Sequence, residues 1–320
     1  MPPKVKTDLT TRIKDLVFRN PLTVASGTFG TKGEYAPFVD YSKLGAIITK
    51  TITVNPRAGN PMPRICEVTG GMLNAIGLQN KGLQDFLENK IPFFAGIPTP
   101  LIVNIAGETT EEFEALARAL EPHKRVVRAL EINLSCPNVE KGGAGFMRKR
   151  ERILDVMKAV RSHTGLFIFA KLSPELGDVL EIGEDVVKAG AGGLSLINTL
   201  KGMAIDIEKR RPRIANLTGG LSGPAIKPVA LRHVYEAKKA LGVPVIASGG
   251  IMSAPDAIEF LIAGADLLAV GTANFVNPSA TLDILAGIKD YGRRHGLENL
   301  DQLRGTLQVS PGHGDAGGGG

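Results

Sequence analysis

The chain has 320 residues, 43% hydrophobic and 22% charged, enough apolar side chain for a sizeable core and too little charge for wholesale disorder. The formal net charge of +6 comes from Lys and Arg scattered among Glu, which excludes a basic stripe for nucleic acid but suits an anionic small molecule. Two isolated cysteines, Cys66 and Cys136, exclude a disulfide framework, a zinc site and an iron–sulfur cluster on this chain, each cysteine having the plain alternative of a small buried hydrophobe.

No apolar run reaches the length of a membrane span, and Met1–Phe18 lacks the apolar stretch of a signal peptide. The expected compartment is therefore the cytoplasm. From there the chain reads as short β-branched runs alternating with longer helical patterns. The strands are expected at Leu22–Ala25, Ala46–Lys50, Leu101–Ile105, Ala129–Leu134, Phe167–Leu172, Gly193–Asn198, Val243–Ser248 and Leu267–Gly271. Nearly continuous apolar runs suit parallel strands covered on both faces.

Helix signals fall between them. Thr109 and Glu112 have the spacing of a capping box for Glu111–Leu120. Arg148–His163 keeps Ile153, Val156, Met157 and Val160 on one face. Asp178–Ala189 ends at Gly190, Ala225–Leu241 ends at Gly242, and Ser253 is expected to cap a helix with Pro255 in its first turn. The fold class that follows is α/β, a (β/α)8 TIM barrel with loop insertions over the C-terminal face. Residues 1–309 are expected to form a single domain and the Gly-rich tail 310–320 to be disordered. Thr51–Gly96 and Leu200–Gly223 are too long for simple loops, and the first is expected to cross the barrel mouth.

In this fold chemistry sits where the strands end. Lys50, Asn104, Asn133, Lys171 and Asn198 close otherwise apolar runs at five strand ends. Buried Lys and Asn are costly without partners, so five together point to a polar ligand. Small residues at Ala25-Ser26-Gly27 let backbone approach a flat molecule. Ser222-Gly223, Ser248-Gly249-Gly250 and Gly271-Thr272 offer backbone N–H groups of the kind that hold phosphate, although glycines also mark plain turns. Cys136 follows the fourth strand and can serve as base or nucleophile; spacing alone leaves both open.

Several of these segments resemble one family. Asn-Leu-Ser-Cys-Pro-Asn at 133–138 is similar to the catalytic signature of class 1 dihydroorotate dehydrogenases. Thr49-Lys50-Thr51, Asn74–Asn80, Ala170-Lys171-Leu172, Asn198-Thr199, Ser248–Ile251 and Val270-Gly271-Thr272 follow in the family's order, from about Leu9 to about Gly292. Gln79 and Gly142-Gly143 make the chain most similar to class 1B catalytic subunits. Cys136, in place of serine, departs from the membrane-associated class 2 enzymes.

The resemblance implies a flavin enzyme that oxidises (S)-dihydroorotate to orotate in pyrimidine biosynthesis. It implies one FMN per chain, held by Ser26, Lys50, Thr51, Asn104, Asn133, Lys171, Ile197, Gly223, Gly249, Gly250, Gly271 and Thr272. It implies substrate contacts from Lys50, Asn74, Ala75, Ile76, Gly77, Leu78, Asn133, Asn198 and Thr199. Cys136 would take the C5 proton while hydride leaves C6 for the flavin. No metal is implied. Electrons would pass to NAD through a partner subunit carrying FAD and a [2Fe-2S] cluster, with a homodimer core inside a heterotetramer. The competing readings are a dihydropyrimidine dehydrogenase-like subunit, which lacks support from ferredoxin-type cysteine clusters, and a non-catalytic phosphate-binding barrel.

Overall fold

A computed structural model of the chain describes residues 6–134 and 150–309. Cys136 and its loop, the start of the helix expected from Arg148, and the tail 310–320 lie outside the described residues. Eight short strands build the barrel: β1 Leu22–Val24, β2 Ile47–Ile48, β3 Leu101–Ile105, β4 Val127–Asn133, β5 Phe167–Leu172, β6 Gly193–Leu196, β7 Val245–Ser248 and β8 Leu267–Val270. They form one parallel sheet in the order β1-β8-β7-β6-β5-β4-β3-β2. The remaining seam is bridged where Gly45 and Ala46 N–H both donate to Leu22 O, at 2.8 and 3.3 Å. A Cβ on Gly45 would lie 1.9 Å from Asn20 O, so only glycine permits this approach. The alternation read from the sequence is thus a (β/α)8 TIM barrel.

Strand side chains alternate between two cores, as the two-residue period of a strand requires. Outward residues such as Val103, Leu130, Ile132, Ile168 and Leu194 pack beneath the helices. Inward residues at the N-terminal end, Ile102, Ala129, Phe169, Ile246 and Leu267, form a separate apolar plug. The antiparallel hairpin Thr11–Ile13 and Leu16–Phe18 completes that plug from below with Ile13, Leu16 and Phe18. At two-residue steps further along the same strands the inward positions turn polar: Asn104 after Ile102, Glu131 and then Asn133 after Ala129, Lys171 after Phe169, Ser248 after Ile246. The interior therefore changes from apolar at the floor to polar at the mouth.

Among the described residues, six longer helices cover the barrel: α1 Thr110–Leu120, α2 Arg150–His163, α3 Val179–Lys188, α4 Lys227–Leu241, α5 Ala254–Ile262 and α6 Ala280–Arg294. None of the described helices is long and apolar enough to cross a membrane. The expected face of α2, Ile153, Val156, Met157 and Val160, is buried. Thr109 Oγ1 accepts from Glu112 N–H as expected, but the Glu112 carboxylate reaches past the cap to Glu108 N–H at 2.6 Å. Asp178 caps α3 through Leu180 and Glu181, and Gly242 ends α4 in the left-handed region. The segment expected to be helical from Ala225 begins as a 3₁₀ turn, Pro224–Ile226, ahead of α4. Ser253 does not cap α5. Its hydroxyl donates to Asp256 Oδ2 at 2.7 Å, because Asp256 takes over the turn by also accepting from Met252 N–H.

The two long insertions meet above the mouth. Ile65–Val68 and Gly71–Asn74 form a hairpin from the first, and Leu200–Gly202 and Gly219–Ser222 come from the second. They pair as one four-stranded antiparallel sheet, with Gly71–Asn74 beside Gly219–Ser222 in its centre. Asn80 closes the base of the first insertion on itself, donating to Thr53 Oγ1 and Leu78 O, both at 2.8 Å, and accepting from Gly82 N–H.

Candidate active site

The polar end of the barrel and the sheet above it enclose a cavity of about 710 Å³. Strand ends supply its floor: Ser26 after β1, Lys50 and Thr51 after β2, Asn133 on β4, Lys171 on β5, and Ile197, Asn198 and Thr199 after β6. The overlying sheet and its connections contribute Asn74, Ile76, Gly77 and Leu78. Gly223, Gly249, Gly250, Gly271 and Thr272 line the side formed by β7, β8 and the entry to α4. Nearly all the residues singled out from sequence thus face one space.

Two do not. Asn104 is fully buried beneath the floor, where its Nδ2 donates to Glu131 Oε2 and its Oδ1 has no partner among the described residues. Ala75 is also buried, its N–H donating to Arg64 O and its carbonyl accepting from Asn60 Nδ2. Cys136, the expected base, lies outside the described residues.

Local hydrogen bonds orient the polar side chains. Asn198 Nδ2 donates to Asn133 Oδ1 at 3.3 Å, while Asn198 Oδ1 accepts from Thr199 N–H at 2.9 Å. Asn74 Nδ2 donates to Gly220 O at 3.2 Å, joining the two insertions, and Thr272 Oγ1 donates to Ser222 Oγ at 2.8 Å. Lys50 is half-buried. Burial first, and then the nearby Arg64 guanidinium, push its ammonium below the ordinary lysine range, with Glu34 opposing. Such a cation is better satisfied by an anion in the cavity.

The glycine-lined side has the features of a phosphate cradle. Gly223, Gly249 and Gly250 have φ values of +99°, +126° and +76°. A Cβ would come within 2.7 Å of Gly71 Cα at Gly223, 2.7 Å of Ala230 Cβ at Gly249 and 2.6 Å of Lys227 Cβ at Gly250. Bare backbone is thus required there, which lets an anion approach N–H groups closely.

A family sequence profile described as dihydroorotate dehydrogenase matches residues 8–291. The chain belongs to the dihydroorotate dehydrogenase family. Among curated relatives, a protein of Geotalea daltonii is 51% identical over 304 residues, covering 95% of this chain and 99% of the relative. One from Desulforamulus reducens is 50% identical over 305 residues, covering 95% of this chain and all of the relative, at 100%. One from Geobacter metallireducens is 50% identical over 304 residues, at 95% and 99% coverage. All three are named dihydroorotate dehydrogenase B (NAD(+)), catalytic subunit.

This member of the dihydroorotate dehydrogenase family also brings to the cavity residues that strand-end reading passed over. Arg64 lines it, with NH2 donating to Gln79 Oε1 at 2.5 Å. Cys66 is a free thiol, partly exposed on the cavity wall, so the buried-hydrophobe alternative does not hold for it. Both lie in the first insertion, and nothing in their spacing marks them. No group of three or more His, Cys, Asp or Glu among the described residues could hold a metal ion.

Proposed function

We propose that this chain is the catalytic subunit of an NAD-linked dihydroorotate dehydrogenase, oxidising (S)-dihydroorotate to orotate in pyrimidine biosynthesis. The observation that carries the reading is the convergence of Lys50, Lys171, Asn74, Asn133 and Asn198 with a glycine cradle on one cavity of about 710 Å³. The donor set fits FMN. Gly223, Gly249, Gly250, Gly271 and Thr272 would hold its phosphate, and Ser26, Thr51, Ile197, Asn133 and Lys171 its ring system. FMN, when bound, supplies the two-electron acceptor that amino-acid side chains lack.

The chain's own residues do the rest. Orotate is a flat anion edged with carbonyl and N–H groups, and Asn side chains offer a donor and an acceptor to match both. Asn74, Asn133, Asn198 and Thr199 orient that edge, with Ile76, Gly77 and Leu78 supplying backbone and apolar contact. Lys50 and Arg64 attract the carboxylate, which favours dihydroorotate over a neutral pyrimidine. Cys136 acts as base and takes the C5 proton. The electrons leave through a second subunit carrying FAD and a [2Fe-2S] cluster, in a complex built on a homodimer of this chain.

The test is reconstitution with FMN followed by anaerobic addition of dihydroorotate. The flavin absorbance should bleach, and Cys136→Ala should bind substrate yet slow the bleaching by about 100-fold or more at neutral pH. A protein that stays colourless, or a Cys136→Ala variant reacting at the wild-type rate, contradicts the proposal.

A further inference from the structure

The barrel interior holds a buried ion pair whose carboxylate, Glu131, the reaction as described does not use. Glu131 is 1% exposed, two residues before Asn133 on β4, and so one layer below the cavity floor. Its Oε1 accepts from Ser195 Oγ at 2.6 Å, its Oε2 accepts from Asn104 Nδ2, and Lys171 Nζ lies 3.7 Å from Oε2. The strand register brings these groups together: Asn104 on β3 is level with Glu131, and Ser195 on β6 is level with Lys171. Lys171 is 7% exposed and lines the cavity.

A carboxylate isolated in an apolar plug would be strongly unfavourable. Here both oxygens are engaged by neutral donors, which fixes the plane of the carboxylate and leaves Oε2 beside the ammonium. Both donors come from the barrel wall, so the clamp is as rigid as the sheet. Lys171 in turn has little water around it, and an ammonium deprived of water needs a fixed counter-charge.

We propose that Glu131 is the positioning residue of Lys171, holding its ammonium against the barrel wall so that the flavin ring meets a cation in a fixed place. The consequence for flavin rests on the functional reading above; the clamp itself is a property of the chain alone. Glu131→Gln keeps the shape and removes the charge. Lys171 Nζ then loses its partner and swings into the space that the ring would occupy. A purely structural ion pair would instead change stability without acting through Lys171.

Two measurements on the full chain test this, the first whether the clamp holds Lys171 and the second whether that hold serves the flavin rather than stability alone. The first is labelling of lysines in the flavin-free protein by an acetylating N-hydroxysuccinimide ester, read by peptide mass spectrometry. Lys171 should react about fivefold faster in E131Q than in wild type, while Lys50 changes by less than about twofold. The second is FMN affinity from quenching of flavin fluorescence. E131Q should weaken binding about fivefold in the wild-type background and less than about twofold when Lys171 is already Met, as expected for two residues acting as one unit. Unchanged labelling of Lys171, or the same loss of affinity in both backgrounds, overturns the proposal. Ser195→Ala keeps the charge but frees one oxygen, and it serves where E131Q fails to fold: labelling of Lys171 should rise about twofold, and no rise overturns the clamp. If wild type takes up no FMN while Lys171 labelling still responds to E131Q, the functional reading falls and the clamp stands.

Discussion

Lys50 stands at the end of β2 with its ammonium half-buried and Arg64 close by. Burial and the guanidinium both disfavour its charged form, so it gives up its proton at a lower pH than an ordinary lysine at 10.5. An anionic ligand needs the protonated form. Orotate affinity should therefore hold at neutral pH and decline as pH rises, beginning below the normal lysine range. Arg64→Gln removes the second cause and should move the decline to higher pH, whatever it does to the affinity at neutral pH. Orotate dissociation constants measured from about pH 7 to pH 10 test this, and a midpoint unmoved by the substitution removes Arg64 from the account. Lys50, Asn133, Lys171 and Asn198 were legible in the sequence because each ends an apolar run, and a parallel barrel points such ends toward one mouth. Arg64 and Cys66 were not, because their place depends on pairing between insertions 146 residues apart, as between Asn74 and Gly220. Glu131 was visible as a charge in an apolar run, but its donors, Asn104 and Ser195, lie on neighbouring strands and become its partners only when the sheet is assembled.

Individual elements show a similar division. All eight barrel strands could be read from apolar runs, since parallel strands are covered on both faces and leave a continuous signal. The buried face of α2, the cap at Thr109 and the end of α4 at Gly242 could be read because they are local. Ser253 misled because a nearby carboxylate, Asp256, competes for its hydroxyl, and propensity at one position does not reveal that competition. The seam between β1 and β2 was not legible, since nothing in the sequence distinguishes Gly45 from a turn glycine. The structure separates two kinds of glycine, and their substitutions should differ in cost. Gly45→Ala places a methyl 1.9 Å from backbone Asn20 O, with Leu22 O at 3.0 Å, so the barrel wall itself must move. Gly242→Ala meets nothing within 4 Å and bears only the strain of φ +63°. Denaturant unfolding should show a loss of about 3 kcal/mol for Gly45→Ala and about 1 kcal/mol for Gly242→Ala. Equal losses would mean that the seam is not a tight contact.

Over the whole molecule, the two ends of the barrel have been given different work. The floor is apolar and sealed: Phe18 is 0% exposed and packs with Ile13 and Leu16 into the plug formed by Ile102, Ala129, Phe169, Ile246 and Leu267. The mouth is polar, hollow and roofed by a sheet borrowed from two distant insertions. Burial of large apolar side chains is the main source of stability, whereas a polar group facing a cavity contributes little until a ligand arrives. Stability and binding should therefore separate along the barrel axis. Phe18→Ala leaves a void in a closed core and should cost about 3–5 kcal/mol of unfolding free energy while changing FMN and orotate affinity by no more than about threefold. Asn74→Ala, on the roof sheet, should reverse the pattern, with about 1 kcal/mol or less lost in stability and orotate binding weakened about tenfold. Guanidinium unfolding followed by far-UV circular dichroism gives the first quantity, and fluorescence titration the second. If Phe18→Ala lowered affinity in step with stability, floor and mouth would form one cooperative unit, and the polar layer at Asn104, Glu131, Ser195 and Lys171, which lies between them, would be the place where that coupling passes.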